Sequence, residues 1–178
     1  MKIYTKNGDD GQTSLLNGKK VPKDNSTIEI IGCLDELNAS LGLLHALRSK
    51  KIRELVLGLQ TDLFSISAVL AGGKTPFNYE EKTLEFEEVI DKLSSEMPVL
   101  KNFILPGGAK HAAQLHMCRA AARKLERVVI SLKKDLNYQN VADLIKYLNR
   151  MSDLLFVMAR YVNFKLGIKE NIWKVENE

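Results

Sequence analysis

Four charged side chains follow one another at the spacing of a single helix face. Arg119, Arg123, Glu126 and Arg127 stand at i, i+4, i+7 and i+8, which places them on the same side of an α-helix. Guanidinium groups stay charged and offer planar pairs of donors, so a stripe of them can hold a polyphosphate. A solvated helix face with local ion pairs is the alternative, and the spacing alone leaves both interpretations open.

A second segment with the chemistry of an anion site lies near the N-terminus. Residues 4–14 combine Gly8 and Gly11 with a lysine, hydroxyls and amides, and Lys23 follows shortly after them. Glycine lets the backbone turn sharply, and successive backbone N–H groups in such turns bind anions. The segment lacks the spacing of a Walker A motif, and an ordinary surface loop is the alternative.

Polar residues on two further predicted helices are candidates to complete such a site. Asp35 and Asn38 share one face of the first helix, where a carboxylate favours either a cationic partner or the helix dipole. Asn149, Asp153 and Arg160 recur at about one-turn spacing on an otherwise apolar fifth helix. Polar groups on such a helix line a ligand site or pair with a neighbouring helix. The three histidines are not spaced as metal ligands.

The composition fits one globular domain that positions these residues. The chain has 178 residues, 45% hydrophobic and 27% charged, with 11 glycines and 4 prolines, which excludes collagen-like, disordered and low-complexity classes. It contains no apolar run of membrane-helix length and starts with no signal segment. Two cysteines do not make a disulfide framework, so we expect a cytoplasmic protein. A net charge of +4 suits an anionic ligand such as a nucleotide at least as well as nucleic acid.

Apolar periodicity predicts five helices, over residues 32–49, 51–70, 79–95, 109–134 and 140–166. Residues 1–31 are predicted to form an irregular arm, residues 32–166 a helical bundle and residues 167–178 a charged tail. Near the end of the arm, Thr27 to Ile31 form a short apolar run that is either extended or the start of a helix. Short connections and little strand signal indicate an all-α five-helix bundle in a single domain, residues 1–178. The two cysteines, Cys33 and Cys118, are expected to be buried small hydrophobic residues.

These segments stand in the order found in a known family. Six collinear blocks carry the likeness: Tyr4-Thr5-Lys6 with Gly8, Asp9, Gly11, Thr13 and Ser14; Pro22-Lys23; Gly32 with Asp35-Glu36-Leu37-Asn38-Ala39; Phe103-Ile104-Leu105-Pro106-Gly107-Gly108; Leu115-His116 with Arg119, Arg123, Glu126 and Arg127; and Tyr147-Leu148-Asn149-Arg150 with Ser152-Asp153-Leu154-Leu155-Phe156. With these blocks spanning nearly the whole chain, the sequence resembles the PduO-type ATP:cob(I)alamin adenosyltransferases.

The resemblance implies a homotrimer of ferritin-like five-helix bundles, with active sites between neighbouring subunits. It implies that Asp35 and Arg119 pair across the subunit interface, and that Phe103 faces the corrin and keeps the lower axial ligand off cobalt. Mg²⁺ would share the charge of the phosphates, through ligands that the resemblance does not assign. The ATP-binding residues carried over from the family pattern are Thr5, Lys6, Gly8, Asp9, Gly11, Thr13, Ser14, Lys23, Arg123, Glu126, Arg127 and Asn149.

The reaction implied by the resemblance is attack of a Co(I) corrinoid on the 5′ carbon of ATP, which expels triphosphate and gives adenosylcobalamin. Because Co(I) is itself the nucleophile, no general base is needed, and the protein must supply orientation and charge stabilisation. Arg123, Arg119, Asp35 and Phe103 receive the catalytic roles by this resemblance. The product would then pass to an adenosylcobalamin-dependent enzyme.

The chain departs from the family pattern at two positions. The family often has a serine where this chain has Ala109, which we expect to remove one hydrogen bond, and a second arginine where it has Lys124. Lys124 does not lie on the stripe and is expected to be exposed.

One alternative function is that of a regulatory protein of the same fold that binds ATP or adenosylcobalamin. The other is a helical module that binds nucleic acid, against which the acidic third helix and the lack of interleaved aromatic residues argue.

Overall fold

The computed structural model describes residues 3, 4, 6, 8–136 and 138–174. Five α-helices dominate it: α1 (Ser26–Gly42), α2 (Lys50–Leu70), α3 (Tyr79–Ser95), α4 (Lys110–Leu132) and α5 (Val141–Lys165). A short 3₁₀ turn, Leu43–Ala46, follows α1, and two short strands, β1 (Gln12–Ser14) and β2 (Lys20–Pro22), precede it. The prediction of an all-α five-helix bundle is confirmed.

The predicted boundary between arm and bundle at residue 32 is wrong, because α1 begins at Ser26. Asn25 caps the helix by accepting a hydrogen bond from the Thr27 N–H at 2.9 Å, so the short apolar run after it is helical. The other end of the first predicted helix is also wrong. Ser49 does not end α1 but caps α2, where its hydroxyl accepts from the Ile52 N–H.

The arm contains a β-hairpin rather than only irregular loop. β1 and β2 pair antiparallel, with Thr13 opposite Val21. Val21 is the one buried residue of the two strands. The turn between them is joined to the end of α2, where Leu16 N–H donates to the Ala71 carbonyl at 2.9 Å. Two such short strands carry too little alternation to be recognised in the sequence.

Helix α5 is the central element of the bundle. It packs against both α3 and α4, while α1 packs against α2 and α4. Its side chains are buried nearly all round, as expected from its composition: Leu144, Tyr147, Leu148, Met151, Leu154, Leu155, Met158 and Ala159 are all 0% exposed. Burial of apolar surface on this scale stabilises the bundle and fixes the positions of α4 and α5 relative to one another.

Among the buried groups of the core, a tyrosine and a carboxylate are hydrogen-bonded to each other, and both thiols are free. The buried Tyr147 hydroxyl donates to Asp62 Oδ2 at 3.2 Å, and burial raises the pKa of Asp62, with Lys82 opposing that shift. Cys33 and Cys118 are buried free thiols, as predicted. Burial raises the pKa of Cys118 to about 11, so this thiol stays protonated and unreactive at neutral pH.

A long connection between α3 and α4 is tied to the end of α5 by one amide. Asn163 is 3% exposed; its Nδ2 donates to the Gly107 carbonyl at 3.0 Å, and its Oδ1 accepts from the Ala109 N–H at 2.9 Å. Ala109 is the N-cap residue of α4 and offers no side-chain cap, and Asn163 holds this residue in place through its backbone N–H. Gly108 has φ of +97°, and a Cβ there would collide with the Asn163 side chain.

The chain after α5 returns to the same connection. Residues 168–173, named here the C-terminal strap, lie antiparallel to residues 103–105, with Ile104 opposite Ile172. No helix in the described part of the chain is both long and apolar enough to cross a membrane.

We predict that Asn163→Ala destabilises the protein by about 1–3 kcal/mol, because it leaves the Ala109 N–H and the Gly107 carbonyl, both in half-buried residues, without their partner. Urea unfolding followed by circular dichroism measures the change. Asn140→Ala is the matched control, since Asn140 is exposed and caps no N–H with its side chain. Equal midpoints for the two variants would contradict the assigned role of Asn163.

Candidate functional site

The glycines of the arm bring a lysine over the loop. Lys23 N–H donates to the Gly11 carbonyl at 2.9 Å, and Gly11 N–H points to the Gly8 carbonyl at 3.3 Å. A Cβ on Gly8 would lie 3.1 Å from Lys23 Nζ. Glycine at this position therefore lets the ammonium group fold across the loop. The structure brings together two residues that the sequence only placed in the same region.

A cavity of about 550 Å³ lies beside this loop, between the hairpin, α1 and α2. Thr13, Ser14 and Lys23 line it from the hairpin side, and Asp35 and Asn38 line it from α1. No residue of α4 contributes to its lining. Five residues singled out in the sequence thus share one cavity. The rest of its wall is mostly apolar, and among the described residues that line it Lys23 is the only one with a positive charge.

The remaining arm residues are exposed or lie outside the described residues. Thr5 lies outside them. Lys6 has φ of 62°, a conformation that is uncommon outside glycine and often found at functional sites. Its carbonyl accepts from the Asp9 N–H at 3.4 Å, and both side chains face solvent. Nothing within the described chain holds these two side chains in place.

The charged stripe on α4 forms as predicted. Arg127 Nη1 donates to the Arg123 carbonyl at 3.0 Å, and Asn149 on α5 donates from Nδ2 to Glu126 Oε1 at 3.2 Å. None of Arg119, Arg123 and Arg127 forms an ion pair with a carboxylate among the described residues. The stripe is therefore a positive surface with no counter-charge of its own beyond Glu126.

Asp35 and Arg119 do not pair with each other within one chain. Asp35 is exposed and makes no ion pair in the described part of the chain, while Arg119 Nε is buried and has no hydrogen-bond partner there. The neighbouring Glu36 instead approaches Lys124, at 3.6 Å. Lys124 is 59% exposed at its side chain, so the expectation of exposure holds, although the side chain is paired.

The two candidate anion surfaces are separate in one chain. No hydrogen bond or ion pair joins Lys6, Gly8 or Lys23 to an arginine of the stripe within the described residues. The cavity side of α1 carries Asp35, whereas Glu36 on the adjacent side faces α4. The arm and the stripe, each a candidate half-site, are therefore not joined by a hydrogen bond or ion pair within the described part of one chain.

Phe103 projects into solvent from a fixed backbone. Its side chain is 80% exposed, yet its carbonyl accepts from the Trp173 N–H at 2.8 Å. The rings of Phe103 and Trp173 have centroids 6.3 Å apart at an interplanar angle of 77°, an edge-to-face arrangement. A large apolar ring held out from a constrained segment is suited to contact an apolar ligand.

His116 is a polar residue near the stripe to which the sequence analysis gave no role. It is 4% exposed, and neither ring nitrogen has a partner among the described residues. Burial lowers the pKa of His116, and the charge of Arg119 lowers it further, while Glu170 opposes the shift. His116 precedes Arg119 by one helical turn, so extending the i, i+3, i+7 pattern backwards would have found it.

The described residues contain no group of three or more His, Cys, Asp or Glu side chains that could hold a metal ion. A site built only from protein ligands is therefore not formed by this part of the chain. The fold and the candidate site define a class of helical bundle with an arginine stripe on one helix, a glycine loop crossed by a lysine, and an exposed aromatic ring.

Comparison with known proteins agrees with this class. The family model described as Cobalamin adenosyltransferase matches residues 3–162. A corrinoid adenosyltransferase of Bacillus subtilis (strain 168) is 39% identical, covering 94% of this chain and 90% of its own. Corrinoid adenosyltransferase MMAB of Mus musculus is 39% identical, covering 97% of this chain and 77% of its own.

A solved structure agrees in fold along the whole chain. It is a phenylalanine-to-histidine variant of a PduO-type ATP:corrinoid adenosyltransferase from Lactobacillus reuteri, complexed with cobalamin and ATP. The TM-score is 0.89 at 31% identity, with 97% of each chain covered. The present chain belongs to the cobalamin adenosyltransferase family. It is a corrinoid adenosyltransferase, as the resemblance of its sequence predicted.

We predict that the free energy of unfolding falls as the pH drops below about 6.5, the ordinary pKa of histidine. The folded state holds the pKa of His116 below that value, so in this window the unfolded chain binds more protons. The loss is about 1.4 kcal/mol for each unit by which the pKa is lowered. Urea midpoints at pH 8 and below about pH 6 measure it.

His116→Gln should flatten this dependence, whereas His45→Gln, which changes an exposed histidine, should leave it intact. The comparison is between pH slopes, so an overall destabilisation by His116→Gln does not affect the outcome. Identical slopes in the wild type and His116→Gln would show that another group titrates.

Proposed function

We propose that this protein transfers the 5′-deoxyadenosyl group of ATP to the cobalt of cob(I)alamin, and that it does so between two subunits. The observation that carries the proposal is the pair of separate half-sites. The α4 stripe has three guanidiniums without internal counter-charge, and the arm has a glycine loop crossed by Lys23. Neither half alone surrounds a triphosphate, and one chain does not bring them together.

A neighbouring subunit supplies the missing half in this proposal. Among the described residues, Arg119 Nε is buried and has no hydrogen-bond partner, and Asp35, at the cavity between the hairpin and α1, forms no ion pair. A buried guanidinium nitrogen without a partner is costly. Pairing Asp35 of one subunit with Arg119 of the next removes that cost and apposes the arm to the stripe. Repeated around a closed ring, this heterologous contact gives the homotrimer.

The arm and the stripe divide the binding of ATP between them. Backbone N–H groups around Gly8 and Gly11 and the ammonium of Lys23 face one side of the phosphates, and the rest of that wall consists of Lys6, Asp9, Thr13 and Ser14. Thr5, outside the described residues, is assigned to ATP by the family resemblance alone. Arg123 and Arg127 face the other side. Glu126, oriented by Asn149 at 3.2 Å, provides a hydrogen-bond acceptor among the cations.

The chemical step needs orientation and charge stabilisation more than proton transfer. The lone pair of Co(I) forms the cobalt–carbon bond, and the bond from the 5′ carbon to oxygen breaks with its electron pair leaving on triphosphate. Arg123 stabilises the charge that develops on that leaving group. Because no proton is moved, the neutral His116 and the protonated Cys118 are not needed as bases or nucleophiles.

Magnesium fits this donor set only as a partner of the phosphates. Mg²⁺ prefers substrate phosphates, waters and one or two carboxylates over an all-protein cage, and the described residues form no such cage. Glu126 is the carboxylate of the stripe and would hold the ion on the protein side. The ion supplies further neutralisation of the leaving triphosphate.

Phe103 serves the corrin in this proposal. Its ring is 80% exposed and apolar, so it can occupy the side of the corrin from which the lower axial ligand would approach. Removing that ligand makes Co(II) easier to reduce, since axial ligation is one of the means by which a protein tunes a metallocofactor. Both cysteines are free, which agrees with a reducing cytoplasm, where an adenosylcobalamin-dependent enzyme would receive the product.

The direct test is an anaerobic spectrum of chemically reduced cob(I)alamin incubated with the protein, ATP and magnesium. We expect the Co(I) band to disappear while a light-sensitive alkylcobalamin forms and triphosphate is released. A folded protein that binds ATP and leaves the Co(I) band unchanged would instead be a regulatory binding protein.

We predict that Arg123→Ala lowers turnover by roughly 10²–10³-fold, because it removes a fixed charge at the leaving group. Stability should change little, since Arg123 is exposed and makes no ion pair in the described chain. Lys124→Ala is the matched control: it removes the next positive charge along the helix, which pairs with Glu36. Loss of activity in both variants to the same extent would remove the specific role of Arg123.

A mixing experiment tests whether the site lies between subunits. Lys23→Ala damages the arm and Arg123→Ala damages the stripe, so each variant alone should be nearly inactive. In randomly mixed trimers, about one quarter of the sites combine an intact arm with an intact stripe from its neighbour. Co-expressed variants should therefore regain about a quarter of wild-type activity. A site within one chain would give no recovery.

A further inference from the structure

The C-terminal strap holds Phe103 by its backbone. Trp173 N–H donates to the Phe103 carbonyl, and Leu105 N–H donates to the Asn171 carbonyl, both at 2.8 Å. Ile104 faces Ile172 between these two bonds. Residues 103–105 belong to none of the helices or named strands, so the strap is the extended partner that fixes their direction.

One ion pair locks the strap to the bundle. Arg160 on α5 donates from Nε to both carboxylate oxygens of Glu170, at 3.0 and 3.2 Å. Its Nη2 also donates to the Pro98 carbonyl at 3.2 Å. The side chains of Arg160 and Glu170 are 10% and 21% exposed, so water screens this pair less than the other ion pairs of the surface. Arg160 therefore connects two segments to α5: the chain at Pro98, which precedes Phe103, and the strap at Glu170.

The ring of Phe103 has one described aromatic neighbour. Trp173 meets it edge to face, with centroids 6.3 Å apart. A phenylalanine with 80% exposure would otherwise exchange between rotamers, and an aromatic contact on one side restricts that exchange. The opposite side of the ring stays free for a ligand.

We propose that the C-terminal strap is a positioning device for Phe103, in which Trp173 fixes the ring and the Arg160–Glu170 pair fixes the strap. The inference rests on the proposed role of Phe103 at the corrin. A ring that must exclude an axial ligand acts only while it is held in place, and loose support of an otherwise complete site costs activity. Trp173 and Glu170 act through Phe103 and are not themselves in contact with the reacting atoms.

The test separates reduction from transfer. Trp173→Ala is assayed first from cob(II)alamin with a reductant and then from prereduced cob(I)alamin. We expect roughly a tenfold loss in the first assay and little loss in the second, because the axial ligand matters for reaching Co(I). Trp173→Phe should restore most of the activity. Leu84→Ala is the control, since it removes an exposed apolar side chain from α3, which makes none of the strap contacts described above.

Electron paramagnetic resonance of cob(II)alamin bound with ATP reports the geometry directly. The axial nitrogen splits the cobalt signal, so loss of that splitting measures the fraction without the lower ligand. Trp173→Ala and Glu170→Gln should both lower this fraction, whereas Glu54→Gln, which breaks the exposed Lys50–Glu54 pair, should not. A general loss of folding would lower the activity from cob(II)alamin and from cob(I)alamin alike and leave the ratio of the two rates unchanged.

The double variant with Phe103→Ala separates the two proposals. If the strap acts through Phe103, adding Trp173→Ala to Phe103→Ala changes the axial-ligand-free fraction no further. If Phe103→Ala alone leaves the fraction unchanged, the proposed role of Phe103 fails. If Phe103→Ala lowers it and neither Trp173→Ala nor Glu170→Gln does, the strap proposal is wrong and the role of Phe103 stands.

Discussion

Three guanidiniums and a single carboxylate, Glu126, stand on one face of α4, and none of the three forms an ion pair within the described residues. The arrangement of the other elements depends on this excess of positive charge. The face of α4 adjacent to the stripe is apolar and packs on α5 and α1, with Leu115, Cys118 and Ala122 buried. The helix can therefore hold its cations at fixed spacing before any ligand arrives. Such preorganised charge is effective because no reorganisation is needed when charge develops on the leaving group.

The same constraint explains why one chain holds two half-sites. A chain that neutralised the stripe with its own carboxylates would be more stable alone but would have no anion site left. Asp35, the carboxylate best suited to Arg119, instead lies at the cavity beside the hairpin. In the proposed trimer, the unpaired charge makes both substrate binding and subunit association favourable, so assembly and activity depend on the same residues.

The C-terminal end of α5 positions two neighbouring segments of the chain. Arg160 and Asn163, one helical turn apart, hold the strap and the start of α4 respectively. Phe103 lies on the segment between these attachments. Side chains of the central helix thus hold the irregular connection between α3 and α4. The exposed ring of Phe103 is therefore placed more precisely than it would be on a free loop.

Local chemistry in the sequence was enough to predict the five helices, the burial of both cysteines and the stripe that Asn149 joins through Glu126, because periodicity and residue type act over one or two turns. The start of α1 was missed because the Asn25 cap stands inside a polar segment that resembles loop. The Lys23 contact with Gly8, the Asn163 contact with Ala109 and the Trp173 contact with Phe103 join residues distant in the chain. Only the tertiary structure decided them, because no periodic pattern encodes which surfaces meet when helices pack.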